Sequence, residues 1–387
     1  MRWTKGKMGP GLDGYNICEL DAAHAAQVGD VLVPAFVELL PAKDGKIVDA
    51  IAKILALAAS DSTDFLLHDH EIDHLVTILE GSHSADHCTR MTVYCHPDHV
   101  TAPDLWRVLS VGPPIARPQN TATSYQGKAV LPPPNRISAD PIVAVIDDGI
   151  GFLNARFRKT KGKTRIEAIW IMGPDQGIGL ANPTGGNAVI SGRVLTAGDI
   201  DAMLATGRDE DDLYRDLNDA LFPIGMHRAT NRAFGHGTHV LDLAAGQDIA
   251  AGPAKGRILA VQLPPEAIAA TSGRRLEHCI LQALRWILHR VTILNQSGQA
   301  AAPVIVNLSL GALAGPKDGT GFFESWLRHE ITTFQTQARS AGIPLRIVAA
   351  YGNGRRDRLV GQRNLDTGGT VNAVWNVLPD DHSASYL

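Results

Sequence analysis

Three short segments carry side chains whose types and surroundings could perform acyl transfer. Asp147 closes the apolar run Ile142-Val143-Ala144-Val145-Ile146 and is followed by Asp148-Gly149. His236 sits in Gly235-His236-Gly237-Thr238-His239, ahead of the small-residue stretch Val240 to Gly246. Asn353 lies in Tyr351-Gly352-Asn353-Gly354, directly after the apolar run Leu345 to Ala350. A buried carboxylate can orient an imidazole, an imidazole can take a proton from a nucleophile, and a side-chain amide can donate to an oxyanion. Each residue also has a plainer reading. Asp147 could be a strand-terminating turn acid, and His236 a turn histidine or, with His239, a metal pair at i,i+3. Asn353 could be the first residue of an Asn-Gly turn. The glycines flanking His236 let other backbone approach closely, which favours His236 over an ordinary turn histidine.

In this order, and at the ends of apolar runs, the three segments resemble the subtilisin-like serine peptidases. Val306-Asn307-Leu308-Ser309-Leu310-Gly311 and Gly252 to Val261 extend the resemblance, which covers about residues 141–355. It implies hydrolysis of polypeptide substrates by an Asp-His-Ser triad. Asp147 would be the orienting acid, His236 the general base, His239 a structural neighbour, and Asn353 an oxyanion donor. Ser309, Leu310 and Gly311, with Gly352, would line the substrate backbone by strand addition. The chemistry would need no cofactor. Structural calcium is common in such proteins, but the sequence assigns no ligands to it.

The sequence departs from the family in three places. The Gly-Thr-Ser segment that carries the nucleophile is absent, and Ser383 and Ser385 lack the glycine and small-residue helix a nucleophile needs. The expectation is a fragment whose serine lies beyond Leu387. The alternative is a non-catalytic peptide-binding or regulatory relative. Second, 89 positions separate Asp147 from His236, more than compact members carry, so an insertion is expected around 157–231. Third, Tyr351 replaces a smaller residue, which would alter the primary specificity pocket.

The elements that must position these residues alternate between strand and helix. Strands are predicted over 142–146, 165–172, 257–263, 304–310, 345–350 and 372–378. Helices are predicted over 200–219, which reads as acidic and exposed, and over 238–245, 276–291 and 322–341. β-Branched runs without polar alternation suit strands buried on both faces. The fold class expected over 141–387 is therefore α/β, a doubly wound parallel sheet with helices on both faces. A Pro-rich stretch, 113–140, reads as a linker. Residues 1–112 read as a separate, mainly helical region of unassigned role, with apolar helical segments at 31–40 and 47–58, an amphipathic segment at helical spacing over 64–80 and a further short element at 104–111. A prosegment role is conceivable from the resemblance, although the length and the histidines of this region fit it poorly.

Seven of the fifteen histidines fall between His68 and His99, together with Cys88 and Cys95. Among them, His70-Glu71-Ile72-Asp73-His74 matches the H-E-x-x-H string in which two imidazoles one helical turn apart bind zinc and the glutamate acts as base. A solvated His-rich helix face is the plainer reading, and a structural zinc site including Cys88 and Cys95 is another. The chain has 387 residues, a hydrophobic fraction of 44%, a charged fraction of 20% and a net charge of -4. That balance gives no electrostatic reason to expect nucleic acid or an anionic membrane. The basic stretch Arg156 to Lys163 reads as a solvated loop. The N-terminus lacks the apolar core of a signal peptide, and no run is long enough for a membrane span, so a cytoplasmic location with reduced cysteines is expected.

Overall fold

The structure is a computed structural model. It describes residues 14–25, 31–41, 46–59, 64–80, 89–101, 105–117, 136–173, 189–221, 235–248, 250, 252, 255–269, 274–295, 300–311, 319–337, 340 and 342–350. Asn353, Gly352, Tyr351 and the strand predicted at 372–378 lie outside these, as does Cys88.

The first part of the chain runs α1 (Gly14–Ala25), β1 (Val31–Leu39), α2 (Ile47–Ala58), β2 (Phe65–Leu66), α3 (Asp69–Glu80), β3 (Arg90–Cys95), β4 (Trp106–Val111) and β5 (Ile115–Ala116). Strands β2-β3-β1-β4 form an antiparallel sheet, and β5 also pairs with β1. The expectation of a mainly helical region is thus corrected: Val31 to Leu39 and Trp106 to Val111 are strands. The reason is visible in β1, where almost every residue is buried. A strand covered on both faces shows no alternation, and a short apolar run of that kind cannot be told from a helix by period. β1 also carries Pro34, which has no N–H to give to a ladder. The proline is accommodated in the gap between the β5 pairing, which ends at Leu32, and the β4 pairing, which starts at Ala35.

The rest of the described chain is β6 (Ile142–Asp147), the hairpin β7 (Arg158–Thr160) and β8 (Lys163–Thr164), β9 (Ile166–Ile171), β10 (Arg193–Thr196), α4 (Ala197–Ala205), α5 (Glu210–Leu221), α6 (His236–Ala245), β11 (Arg257–Gln262), α7 (Pro265–Ala269), α8 (Arg274–Asn295), β12 (Val304–Leu308), α9 (Phe322–Thr336) and β13 (Leu345–Ala349). The strand order is β10-β9-β11-β6-β12-β13, parallel throughout except for antiparallel β10. Ile142, Ala144 and Ile146 of β6 pack with Leu284, Trp286 and Ile287 of α8 and with Phe334 of α9. Val145, on the other side, packs with Leu217 of α5 and Leu241 of α6. Burying each such aliphatic side chain contributes about 1.5–3 kcal/mol, so the two-sided apolar run of β6 is among the strongest local determinants of the fold.

The helix expected at 200–219 is two helices with a buried face, Leu213, Tyr214 and Leu217, rather than one exposed helix. The basic stretch is an exposed hairpin whose charges are matched locally. Arg156 pairs with Asp242, Arg158 with Glu210, Lys159 with Glu167 and Lys163 with Asp201.

The first sheet lies against α8 and α9. Phe36 of β1 meets Trp326 of α9 edge to face at 5.1 Å between ring centres. Arg285 of α8 reaches Glu71 of α3 (2.5 Å), Glu330 of α9 (2.5 Å) and the carbonyl of Arg90, all in the buried seam. Tyr94 of β3 donates to Gln282 (2.8 Å), and Ser110 and His278 hydrogen-bond at 2.8 Å.

Candidate active site

Asp147 is the last residue of β6 and is fully buried, while β6 is flanked by β11 and β12. Its carboxylate therefore emerges at the carboxyl end of a central strand, where open α/β sheets collect their functional groups. The chain then turns through Asp148 and Gly149, whose φ of 66° is left-handed and cheap only for glycine. The first turn of α6 is seated on this bend. Gly237 N–H donates to the Asp148 carbonyl (2.6 Å) and Thr238 N–H to the Gly149 carbonyl (3.0 Å), so acid-turn carbonyls satisfy amides that a helix start leaves unpaired. Thr238 Oγ1 adds two bonds, donating to Gly149 O (2.7 Å) and accepting from Gly151 N (2.6 Å). The fit requires glycine. A Cβ on Gly235 would stand 2.5 Å from Gly149 O, and one on Gly237 2.5 Å from Asp148 O.

The result is that His236 Nδ1–H donates to Asp147 Oδ1 at 2.6 Å, a short bond to a carboxylate. Asp148 N–H donates to the same oxygen at 2.7 Å. Asp147 Oδ2 is buried with no hydrogen-bond partner among the described residues. Burial raises the Asp147 carboxyl above the ordinary aspartate range, opposed by the His236 and Asp148 hydrogen bonds. His236 keeps 59% of its side chain exposed, so its ring reaches from a dry carboxylate out to solvent. An imidazole held at Nδ1 by a buried carboxylate has its Nε2 lone pair free to accept a proton.

Ser309, Leu310 and Gly311 follow the end of β12 directly. Ser309 and Leu310 are half-buried, Gly311 is exposed, and Ser309 Oγ donates to Asn307 Oδ1 (2.7 Å). They are not part of the strand, which stops at Leu308 rather than Leu310. Because β12 pairs with β6 in parallel register, the segment lies at the same end of the sheet as Asp147.

Sequence reasoning missed Gln262. It ends β11 in register with Asp147, is fully buried, accepts from Ile150 N–H (2.8 Å) and donates to Asp148 Oδ1 (3.3 Å). The available signal was one amide closing the apolar run Ile258 to Val261.

The H-E-x-x-H string falls on α3, but its residues are otherwise engaged. Glu71 accepts from Arg285 and from Thr92 N–H (3.1 Å), which removes it as a base for a metal-bound water. His74 Nδ1 contacts Gln337 Nε2 (2.9 Å), and His289 pairs with Asp73 (3.2 Å). Burial holds the His70 and His74 rings well below the usual imidazole range. The solvated His-rich face is corrected as well, since His68, His70 and Glu71 are buried. Among the described residues no three His, Cys, Asp or Glu side chains are placed to hold a metal ion. No helix among the described residues is long and apolar enough to cross a membrane.

A sequence profile of the Subtilase family matches residues 138–379. Among solved structures, the Clostridium perfringens CspB protease is similar at 22% identity and a TM-score of 0.34, over 54% of this chain and 35% of that one. The chain thus spans about a third of the length of that protease. No curated protein matches the chain.

Proposed function

Because the chain belongs to the subtilase family, we propose that it carries the acid and base of a serine endopeptidase whose nucleophile lies outside these 387 residues. The observation that carries the reading is the 2.6 Å bond from His236 to the buried Asp147, made where two Gly-flanked turns meet at the carboxyl end of a parallel sheet. In this reading the sheet is doubly wound, and the site is built from the loops at that end. His236 Nε2 takes the proton from a serine hydroxyl as its oxygen attacks the scissile carbonyl, then returns it to the leaving amine. Asp147 holds the ring in the right tautomer and stabilises the imidazolium. Asn353 and a backbone N–H receive the oxyanion; in subtilisin itself, loss of such an Asn donor costs roughly 2.7–4 kcal/mol. The peptide lies along Ser309-Leu310-Gly311 and Gly352. Nothing in these steps calls for a cofactor.

The absence of a Gly-Thr-Ser segment supports a second reading, a non-catalytic relative that keeps the peptide groove. A serine-directed fluorophosphonate probe, applied to the longest product of the reading frame, separates the two. Labelling that is lost in His236→Ala supports the peptidase. A stop codon directly after Leu387 with no labelling sinks it in favour of the binding protein.

A further inference from the structure

The bend that presents Asp147 is held from two sides. On one side α6 grips it through Gly237 N–H, Thr238 N–H and Thr238 Oγ1. On the other stands β11, whose last residue, Gln262, pairs with Asp147 across the parallel ladder. The ladder itself ends there: Leu263 N–H donates to the Asp147 carbonyl (2.9 Å), and beyond that point the bend leaves the sheet. Gln262 follows it with its side chain. One amide spans the bend, with Oε1 accepting from Ile150 N–H at 2.8 Å and Nε2 donating to Asp148 Oδ1 at 3.3 Å. Between these two anchor points lies Gly149, the residue with left-handed backbone, where the chain would otherwise be freest to rotate. The amide itself is fully buried, so water does not reach its two polar atoms. A donor and an acceptor in one short side chain are both needed, because Ile150 offers N–H and Asp148 offers a carboxylate.

We propose that Gln262 is a positioning residue for the acid–base pair: by clipping Asp148 and Ile150 together it fixes the direction in which the Asp147 carboxylate faces His236. This rests on the reading of Asp147 and His236 as acid and base. The Gln262 amide hydrogen-bonds to Ile150 and Asp148 and not to the ring or carboxylate of that pair. It acts through the bend, as a supporting shell does when it locks a catalytic group to within a few tenths of an ångström.

The test is the low-field proton resonance of the His236 Nδ1–H in the 387-residue protein, assigned by its loss in His236→Ala. A proton held in a short bond to a carboxylate resonates far downfield, and its position reports the length and angle of that bond. Gln262→Met keeps the volume and removes both clips. The resonance is expected to move upfield or to vanish through exchange with water, while far-UV circular dichroism stays unchanged. Gln262→Glu keeps the acceptor for Ile150 N–H but turns the other clip into a like-charge contact with Asp148. It is expected to shift the resonance too, and it decides alone if the methionine variant does not fold. Gln282→Met, which removes the partner of Tyr94 in the remote seam, is expected to leave the resonance in place. An unmoved resonance in folded Gln262 variants, or an equal shift in Gln282→Met, overturns the positioning role and leaves the pair intact. Absence of the resonance from the unsubstituted protein overturns the pair itself.

Discussion

Gly237 and Asp148 meet backbone to backbone. The Gly237 amide donates to the Asp148 carbonyl at 2.6 Å, and a methyl group on Gly237 would lie 2.5 Å from that oxygen and 2.9 Å from Asp147 Cβ. The neighbour is main chain, so it cannot swing away. Gly237→Ala must push the acid turn off α6, at a cost of about 1–3 kcal/mol for an overpacked contact. The expected outcome is a lower denaturation midpoint together with a weakened His236 Nδ1–H resonance. Unchanged values for both would show that the turns are looser than their contacts imply.

Asp147 should matter for tautomer more than for structure. In the longest product that labels with a fluorophosphonate, Asp147→Asn is expected to slow labelling by about 10⁴, the loss seen when a triad acid becomes an amide. Retention of most of the rate would remove Asp147 from the role of acid.

The Glu71–Arg285–Glu330 seam gives an asymmetric expectation. Arg285→Met alone leaves two buried carboxylates unpaired and should destabilise the protein by about 3–5 kcal/mol. Replacing all three together (Glu71→Leu, Arg285→Met, Glu330→Leu) should recover most of that loss. Denaturant titration of the two variants checks it, and equal destabilisation would mean that the triad contributes more than its own mutual satisfaction.

Acid should loosen the same seam through His68. Ile190 N–H donates to His68 Nδ1 (3.0 Å), so Nε2 carries the proton and donates to Tyr94 (3.1 Å). Burial lowers its pKa to about 3, against an ordinary value of 6.5. A depressed folded pKa means that stability is fully present above pH 6.5 and is lost as pH falls toward 3. The expected slope from this one group is about 1.4 kcal/mol per pH unit. His68→Leu should flatten the melting temperature against pH in that window, even though it lowers stability at neutral pH. Asp147 acts in the opposite sense. Its raised pKa costs stability at neutral pH, and that cost is relieved as pH falls toward the carboxylate range.

How far the sequence could be read follows from what each segment must satisfy. β6 and β11 were legible because apolar runs buried on both faces leave few alternatives, β12 and β13 because their β-branched runs favour strand although Ile305 and Val348 are exposed, and α2 because its amphipathic pattern is complete within Ile47–Ala58. The Asp147–His236 pair was legible because close backbone approach demands glycines at fixed places, and glycines are visible in sequence. β1 was misread because burial on both faces erases the two-residue period. Glu71 looked like a metal-site base because its true partner, Arg285, is 214 residues away. Gln262 was overlooked for the same kind of reason, since it acts on a turn 112 positions earlier.

The seam around Arg285 also sets an order for synthesis. Glu71 leaves the ribosome 214 residues before Arg285, and Glu330 follows 45 residues after it. Until α8 emerges, the first-made sheet has nothing on which to lay Phe36, and Glu71 lacks its charge partner. Until α9 emerges, Arg285 has only one of its two carboxylates. The earliest-translated part of this chain therefore waits for later-made helices, and completion of its fold is timed by the C-terminal half rather than proceeding vectorially from the N-terminus.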